Sequence, residues 1–256
     1  MITHQSALQR SVYIAALLLI ALLGIIAIIL WTEKSGRPLA VEKNALRTVA
    51  IQRPGYADIV LEYTQSQWQL TSPCQAIANP QRVQAFEQLQ SPATHSYDAR
   101  EVDLAEAGLL DPLAVITING TNLKVGETDL SGERRYIQRG ADVEFAPEWI
   151  LSLVQGGTSA FANLNVFPDA LTAVNAGSID TSTSQLQQWQ ALTANQVIAW
   201  PLKVNVPELV QRYSINFISP TESGQMIVHE YEAFSAITKS DEHCAYIVSN
   251  AALPST

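Results

Sequence analysis

The residues of this chain that could take part in catalysis are few and scattered. The candidates form three close pairs: His243 with Cys244, Glu101 with Asp103, and Glu230 with Glu232. A thiol nucleophile needs a base beside it in space, whereas adjacent residues of a strand point to opposite faces. Carboxylates two residues apart share a strand face, but such pairs more often meet solvent than perform acid–base chemistry. We therefore interpret all three pairs as structural.

The short motifs of common active sites are missing from the sequence. It contains no GxSxG, no P-loop, no GxGxxG and no HExxH. Cys74 and Cys244 form no CxxC pair, and none of the four histidines lies at metal-site spacing from either cysteine. We therefore predict that the protein is not an enzyme and that it uses no cofactor and no metal.

The two cysteines leave two interpretations open. In an oxidising compartment, Cys74 and Cys244 could form a disulfide that closes a very long loop. The alternative is a pair of buried thiols that remain unbonded. The sequence does not choose between them, because it does not give the distance between the two residues.

Large aromatic residues are the other candidates for function. We predict that four tryptophans lie in the core of the folded region, because one such side chain supplies much of a small core's burial. These are Trp68, Trp149, Trp189 and Trp200. The alternative is an exposed pair of them that stacks on a glycan.

An apolar run near the N-terminus determines how the rest of the chain is interpreted. Residues 12–31 contain no charged residue, and twelve of them are Leu or Ile. This length matches one helical crossing of a bilayer, which takes about 20 residues. Tyr13 and Trp31 lie at the two ends, where aromatic rings favour the lipid headgroups. We predict a retained transmembrane helix over residues 12–31, with residues 1–11 in the cytoplasm and residues 32–46 as a stalk.

One face of this predicted helix carries small residues. Ala21, Gly24 and Ala27 recur every three positions and would admit a neighbouring helix at close range. We therefore name them as a possible helix-packing face, with a helix surrounded by lipid as the alternative. The basic residues on the two flanks do not decide the orientation, since long domains cross the membrane largely regardless of charge.

Charge excludes one class of partner. The chain has a formal net charge of −9, and residues 1–46 hold four basic and two acidic residues. Residues 47–256 therefore hold eleven basic and 22 acidic residues, a balance of −11. Phosphate binding needs a basic surface, so we predict no nucleic-acid partner. The partners that we expect are the lipid bilayer and a protein of a membrane complex.

The rest of the chain reads as short strands interrupted by helices. Asn119-Gly120 between alternating apolar residues predicts a hairpin, and Asn79-Pro80 predicts the start of a helix. A further helix is expected to open at Pro147, and residues 207–213 also look helical. We predict an α+β fold of antiparallel sheets with packed helices.

Weak internal likeness suggests two related sheet-and-helix units, residues 47–168 and an abbreviated unit at residues 169–256. Residues 214–231 resemble the hairpin at residues 113–128, residues 188–193 resemble residues 66–71, and residues 244–249 resemble residues 134–138. The alternative is chance likeness between short strand patterns.

Several motifs together resemble a known family. They are Trp68-Gln69-Leu70 followed by Pro73, Gly108-Leu109 followed by Pro112, and Val125-Gly126. In this order they resemble the domain of unknown function 4340 family, over about residues 47–168. The resemblance implies a bacterial protein of the cytoplasmic membrane whose repeated domain lies in the periplasm. It supplies no catalytic residues, because the family has none established.

The resemblance also implies a function. Some members of the family are encoded beside auxiliary components of ABC transport systems, which implies an accessory role in an envelope complex. We therefore expect a single-pass, non-enzymatic interaction subunit of such a complex. The alternative is a ligand-binding module for glycan or lipid outside the cytoplasm, with a cleft between the two units.

Overall fold

The fold is mainly β, so the predicted α+β class is wrong. A computed structural model describes residues 45–168, 170–176, 179–180, 183–202, 207–239 and 243–254. Strands account for 45% and helices for 17% of the structure. Some of the predicted helix starts are correct, but each described helix ends within about two turns. Antiparallel strands supply most of the regular structure.

Sheet 1 is formed by the first nine described strands. They are β1 (Thr48–Gln52), β2 (Ile59–Thr64), β3 (Gln67–Ser72), β4 (Ala76–Ile77), β5 (Ser96–Asp98), β6 (Ala114–Ile118), β7 (Thr121–Thr128), β8 (Arg134–Arg139) and β9 (Asp142–Pro147). Their order across the sheet is β4-β3-β2-β1-β6-β7-β8-β9-β5, and all neighbours are antiparallel.

Alternation along the strands determines which face of sheet 1 is buried. Ile51 on β1 and Ile116 on β6 are cross-strand partners and both lie in the core. Their neighbours Gln52 and Val115 pair on the opposite face, because successive side chains of a strand alternate between faces. The Asn119-Gly120 turn joins β6 to β7 with φ values of 47° and 84°, as a two-residue hairpin requires.

Sheet 2 is formed by the remaining seven described strands. They are β10 (Ala173–Ala176), β11 (Ile179–Asp180), β12 (Gln196–Ala199), β13 (Leu209–Ile218), β14 (Ser223–Tyr231), β15 (Ser235–Lys239) and β16 (Cys244–Val248). Their order is β11-β10-β13-β14-β15-β16-β12, again antiparallel throughout. The helix expected over residues 207–213 is therefore wrong, since β13 begins at Leu209.

The helices are short and connect the strands. They are α1 (Pro80–Gln84), α2 (Trp149–Gln155), α3 (Thr158–Phe161) and α4 (Thr183–Gln190), with 3₁₀ turns at Ala85–Leu89, Ala99–Glu101 and Asn250–Ala252. The predicted start of α1 is correct: the Asn79 side chain accepts from the backbone N–H groups of Gln81 and Arg82.

One hydrophobic core receives side chains from both sheets. Ile51 and Ile116 of sheet 1 belong to the same cluster of buried residues as Val228 and Ile237 of sheet 2. The predicted unit boundary near Pro168 lies between the two sheets in sequence, yet the core is continuous across it. Leu46, the last residue of the predicted stalk, is also part of this core.

A disulfide joins the two sheets. Cys74 follows β3 of sheet 1, and Cys244 is the first residue of β16 in sheet 2. Their Cα atoms are 5.2 Å apart although 170 positions separate them in sequence. Both residues are buried. Of the two interpretations that the sequence left open, the structure has the bonded pair.

The predicted transmembrane helix over residues 12–31 lies outside the described residues, and so do Ala21, Gly24 and Ala27. Within the described ranges, none of the helices is long and apolar enough to cross a membrane.

Candidate interaction surface

A cleft of about 460 Å³ lies on the outer face of sheet 1. Its floor includes Gln52 at the end of β1 and Val115 on β6, which are cross-strand partners. One wall comes from the turn between β1 and β2, and the other comes from the segment that precedes β6. Since the floor belongs to two paired strands, the position of the cleft follows directly from the order of the sheet.

The first wall is a tight turn after β1. Gly55 has a φ of 77°, and Pro54 comes just before it. Pro followed by a Gly of positive φ is the arrangement of a type II turn. The Tyr56 backbone N–H closes the turn on the Arg53 carbonyl at 3.2 Å. Pro54 and Asp58 of this wall line the cleft.

Arg53 attaches this turn to the end of α2. Its Nη1 donates to the carbonyl oxygens of Gln155 at 3.3 Å and Gly156 at 3.1 Å. A cation at the carboxyl end of a helix is favourable because the last carbonyls carry partial negative charge. The Tyr56 ring lies over the guanidinium, with 4.9 Å between the guanidinium carbon and the ring centroid. The Arg53 guanidinium thereby supports one face of the Tyr56 ring, while 70% of Tyr56 stays exposed.

The second wall is held on sheet 1 by Gly126. The Ala107 carbonyl accepts from the Glu127 N–H at 2.9 Å, and the Leu113 N–H donates to the Val125 carbonyl at 2.9 Å. A Cβ at position 126 would collide with the Ala107 carbonyl and the Leu109 side chain. Only glycine lets the segment approach this closely.

The two segments that line the cleft carry carboxylates together with exposed apolar side chains. We call Tyr56, Leu110 and Leu113 the rim, because each lies within two positions of a lining residue in sequence. Asp58 and Asp111 belong to opposite walls, and neither takes part in any ion pair of the described residues. The Asp58 carboxylate accepts a hydrogen bond from Gln52 Nε2 at 3.1 Å, and the Asp58 backbone carbonyl accepts one from Ser72 Oγ at 3.0 Å. Leu110 and Leu113, on either side of Asp111 in sequence, are 62% and 40% exposed. Such a surface suits contact with another chain.

The residues singled out for catalysis are not brought together. Cys244 is bonded to Cys74 and so is not a free nucleophile. Asp103 instead accepts from the N–H groups of Ala105 and Glu106, where it starts a turn. Neither predicted carboxylate pair shares a strand face, because Glu101 ends a 3₁₀ turn and β14 ends before Glu232. Within the part of the chain that the structure describes, no three His, Cys, Asp or Glu residues are grouped as a metal site.

His229 is the histidine with the most distinctive surroundings. Its ring lies 4.9 Å from the ring of Trp200 on the outer face of sheet 2. Burial lowers the pKa of His229, and the positive charge of Arg212 on the neighbouring strand lowers that pKa further. Both effects favour the neutral form of the histidine. It faces no described acid or thiol that would make it a catalytic base.

The four tryptophans differ in how deeply they are buried. Trp189 is 1% exposed and packs edge-on against Phe167 in the core, as predicted. Trp68 and Trp200 are half-buried, and Trp149 is 36% exposed at the start of α2. They lie on separate elements, and no ring contact joins any two of them among the described aromatic pairs.

The sequence reasoning missed the cleft and its rim. Tyr56, Leu110 and Leu113 stand in loops, where apolar residues have no periodic pattern that predicts exposure. The only signal was the pair of proline turns, Pro54-Gly55 and Asp111-Pro112. These indicate turns but not which turns meet in space.

Comparison with known proteins gives no relative: no protein-family model, no curated protein and no solved structure matches this chain. The resemblance to the domain of unknown function 4340 family therefore stays an expectation.

Proposed function

We propose that this protein is a single-pass, membrane-anchored interaction subunit of a bacterial envelope complex, with its β domain outside the cytoplasm. It acts by docking a protein of that complex rather than by catalysis. The cleft rim of Tyr56, Leu110 and Leu113 is the observation that carries the proposal. These three exposed side chains, together with the cleft of about 460 Å³, form the docking surface.

The physical argument rests on what such residues gain on contact. Burial of apolar surface contributes about 25 cal/mol per Å², and aromatic anchors in pockets dominate the energy of many interfaces. Tyr56 is suited to be such an anchor because Arg53 fixes its ring before any partner arrives. Less ordering entropy is then lost on binding.

The disulfide supports a location outside the cytoplasm. Disulfides persist in oxidising compartments such as the periplasm, whereas cytosolic thiols are kept reduced. Cys74 and Cys244 are the only cysteines of the chain, and both are in this bond.

The apolar run of residues 12–31 supports attachment to the membrane. At roughly −0.5 kcal/mol for each central Leu or Ile, its twelve such residues favour insertion by about 6 kcal/mol. The docking surface would then meet partners that are held at the same membrane.

A ligand-binding module is the second candidate, and one observation favours it. The volume of the cleft lies within the range of about 300–1,000 Å³ that is common for small-molecule sites. However, the lining itself contains two prolines, one valine and four polar residues, and the aromatic ring next to it in sequence, Tyr56, is the anchor that the docking proposal uses.

Site-specific photocrosslinking in native membranes tests the docking surface. A photoreactive phenylalanine analogue replaces Leu113 in the full chain, and a matched variant carries it at Glu232, an exposed turn position of sheet 2. We expect the Leu113 position, but not the Glu232 position, to crosslink to a subunit of a membrane complex identified by mass spectrometry. Absence of a position-dependent protein adduct would contradict the proposal, and an adduct to glycan or lipid would favour the second candidate.

A fusion experiment tests the compartment. Alkaline phosphatase joined to the C-terminus should be active, because that enzyme needs an oxidising environment. An inactive phosphatase fusion together with a bright fluorescent-protein fusion would place the domain in the cytoplasm and overturn this part of the proposal.

A further inference from the structure

We infer that the partner segment bound at the cleft carries an arginine or lysine side chain that enters between Asp58 and Asp111. This inference rests on the proposed function and specifies the chemistry of the partner. It commits to a basic protein segment with flanking apolar residues as the occupant.

The first argument is the charge of the cleft. Asp58 and Asp111 both line it, one from each of the two segments that form its walls, and the ion pairs of the described residues include neither. Arg53 is the one basic residue of the described lining, and its Nη1 is already bound to two carbonyl oxygens at the end of α2. The two carboxylates are therefore left for a cation from outside the chain.

The second argument is the apolar surface between the carboxylates. Pro54, Pro112 and Val115 supply it. Arginine and lysine bury their methylene stems on apolar surface while the charged head finds a polar partner. A shorter or acidic side chain would not satisfy both the walls and the carboxylates.

The third argument is Tyr56. One face of its ring lies over the Arg53 guanidinium, and most of the side chain remains exposed. An aromatic face attracts a cation, and Tyr56 is only two positions from Asp58. Cationic and apolar groups of one partner segment can therefore both be accommodated at this rim.

The charge of the whole domain also favours a basic partner. Residues 47–256 carry a balance of −11, which attracts basic partners over distance and repels acidic ones. This long-range attraction is screened by salt, whereas a pair held within the cleft is screened much less.

The test uses the full chain in nanodiscs of phosphatidylcholine, a lipid without net charge to attract a basic peptide. The probe is a fluorescent peptide of alternating leucine and arginine, and its control replaces arginine with citrulline, an uncharged analogue of the same shape. Anisotropy titration gives Kd for each. We expect the citrulline peptide to bind about tenfold more weakly, as loss of one well-placed ion pair predicts.

Variants assign this effect to the cleft. The double change Asp58→Asn with Asp111→Asn should weaken binding of the arginine peptide about tenfold and abolish its preference over the citrulline peptide. Glu232→Gln removes one exposed charge from sheet 2 and should leave both values unchanged. Since the peptide comparison uses the unaltered protein, a folding defect in a variant cannot imitate its result.

Two outcomes would overturn the inference: equal binding of the two peptides, or an arginine preference that survives the double change. Photocrosslinking through Leu113 separates this failure from failure of the proposed function. If the Leu113 adduct forms in native membranes and the double change leaves it undiminished, docking stands and the basic partner is wrong. If no adduct forms, the proposed function itself fails.

Discussion

In both sheets, four consecutive strands run side by side, and a strand from earlier in the chain pairs with the last of them. Sheet 1 has the order β1-β6-β7-β8-β9-β5 at its centre, and sheet 2 has β10-β13-β14-β15-β16-β12. In each case a helix precedes the strand that completes the edge: α1 precedes β5, and α4 precedes β12. The two sheets therefore share the order and direction of these six strands.

The sheets differ at the opposite edge. Sheet 1 continues from β1 through β2, β3 and β4, while the described part of sheet 2 ends beyond β10 with the two-residue β11. The turn between β1 and β2 is also the first wall of the cleft. The rest of its lining lies on β1, on β6 and in the segment just before β6. The candidate interaction surface therefore combines strands that the two sheets share in their order with the first turn of the part that sheet 1 adds.

They also differ in what they bury. Sheet 1 buries Arg135 and Glu144, and the Arg139 side chain that pairs with Glu144 is 15% exposed. The buried polar residues on the described strands of sheet 2 are the uncharged Ser235 and Thr238. The ion pair of sheet 2, Lys239 with Glu222, is partly exposed. Charged side chains are therefore buried in sheet 1 and not on the described strands of sheet 2, so the shared strand order does not require them.

The largest effect is expected from cutting the link between the sheets. Replacement of both Cys74 and Cys244 by serine removes a bond that closes a loop of about 170 residues. The chain-entropy model gives about 5 kcal/mol for such a loop, and measured losses are typically about 2–5 kcal/mol. Denaturant unfolding of both proteins measures the change. A loss below about 1 kcal/mol would mean that the shared core alone holds the two sheets together.

A matched pair of substitutions probes the ionic difference. Glu144→Gln leaves the largely buried Arg139 beside an uncharged partner, and breaking a buried pair costs about 3 kcal/mol or more. Glu222→Gln breaks the exposed pair with Lys239, for which the cost is below about 1 kcal/mol. The same denaturant titration measures both. Equal losses would show that the two sheets do not differ in this respect.

A glycine in each sheet offers a smaller contrast. Gly126→Ala forces a Cβ against the Ala107 carbonyl, and Gly224→Ala places one 2.9 Å from the Phe217 ring. We expect each to cost about 2 kcal/mol through overpacking. Only Gly126→Ala should also reduce the photocrosslink at Leu113, because it displaces the second wall. An undiminished crosslink would show that the wall does not position the surface.

The smallest effect concerns pH and sheet 2. Burial, reinforced by Arg212, lowers the pKa of His229 below its unfolded value of about 6.5. The folded state then binds fewer protons than the unfolded state. The part of the unfolding free energy that depends on a neutral His229 is therefore fully present above about pH 6.5 and is lost as the pH falls further. Wild type should therefore lose more unfolding free energy than His229→Gln between about pH 7.5 and about pH 5.5. Identical losses would exclude His229 as a source of acid sensitivity.

Sequence reasoning succeeded where a signal is local. Asn119-Gly120 predicted the hairpin of β6 and β7, and Asn79-Pro80 predicted the start of α1. The likeness between residues 113–128 and 214–231 also falls on hairpins at equivalent places in the two strand orders. The other two likenesses do not fall on equivalent elements. Residues 66–71 lie mainly on β3, whereas residues 188–193 include the end of α4. Residues 244–249 include β16 and resemble β8 in sequence, but in the strand order β16 corresponds to β9.

The errors arose where neighbours in space decide the structure. Residues 207–213 have an apolar pattern that suits a helix, but pairing with β14 draws Leu209 and the residues after it into a strand. The α+β class failed for the same reason, because local start signals do not determine how far a helix extends. The cleft was missed because it needs two distant turns on paired strands.

The features that follow from the sequence alone are local or compositional: the hairpin turn, the cap of α1, the acidic balance of the domain, and the missing motifs of known active sites. The tertiary structure decided everything that depends on distance. It brought Cys74 to Cys244, buried Glu144 beside Arg139, and placed Asp58 and Asp111 in the lining of one cleft. Periodicity and turn chemistry act over a few residues, whereas these contacts depend on which strands pair, and strand pairing is a property of the whole chain.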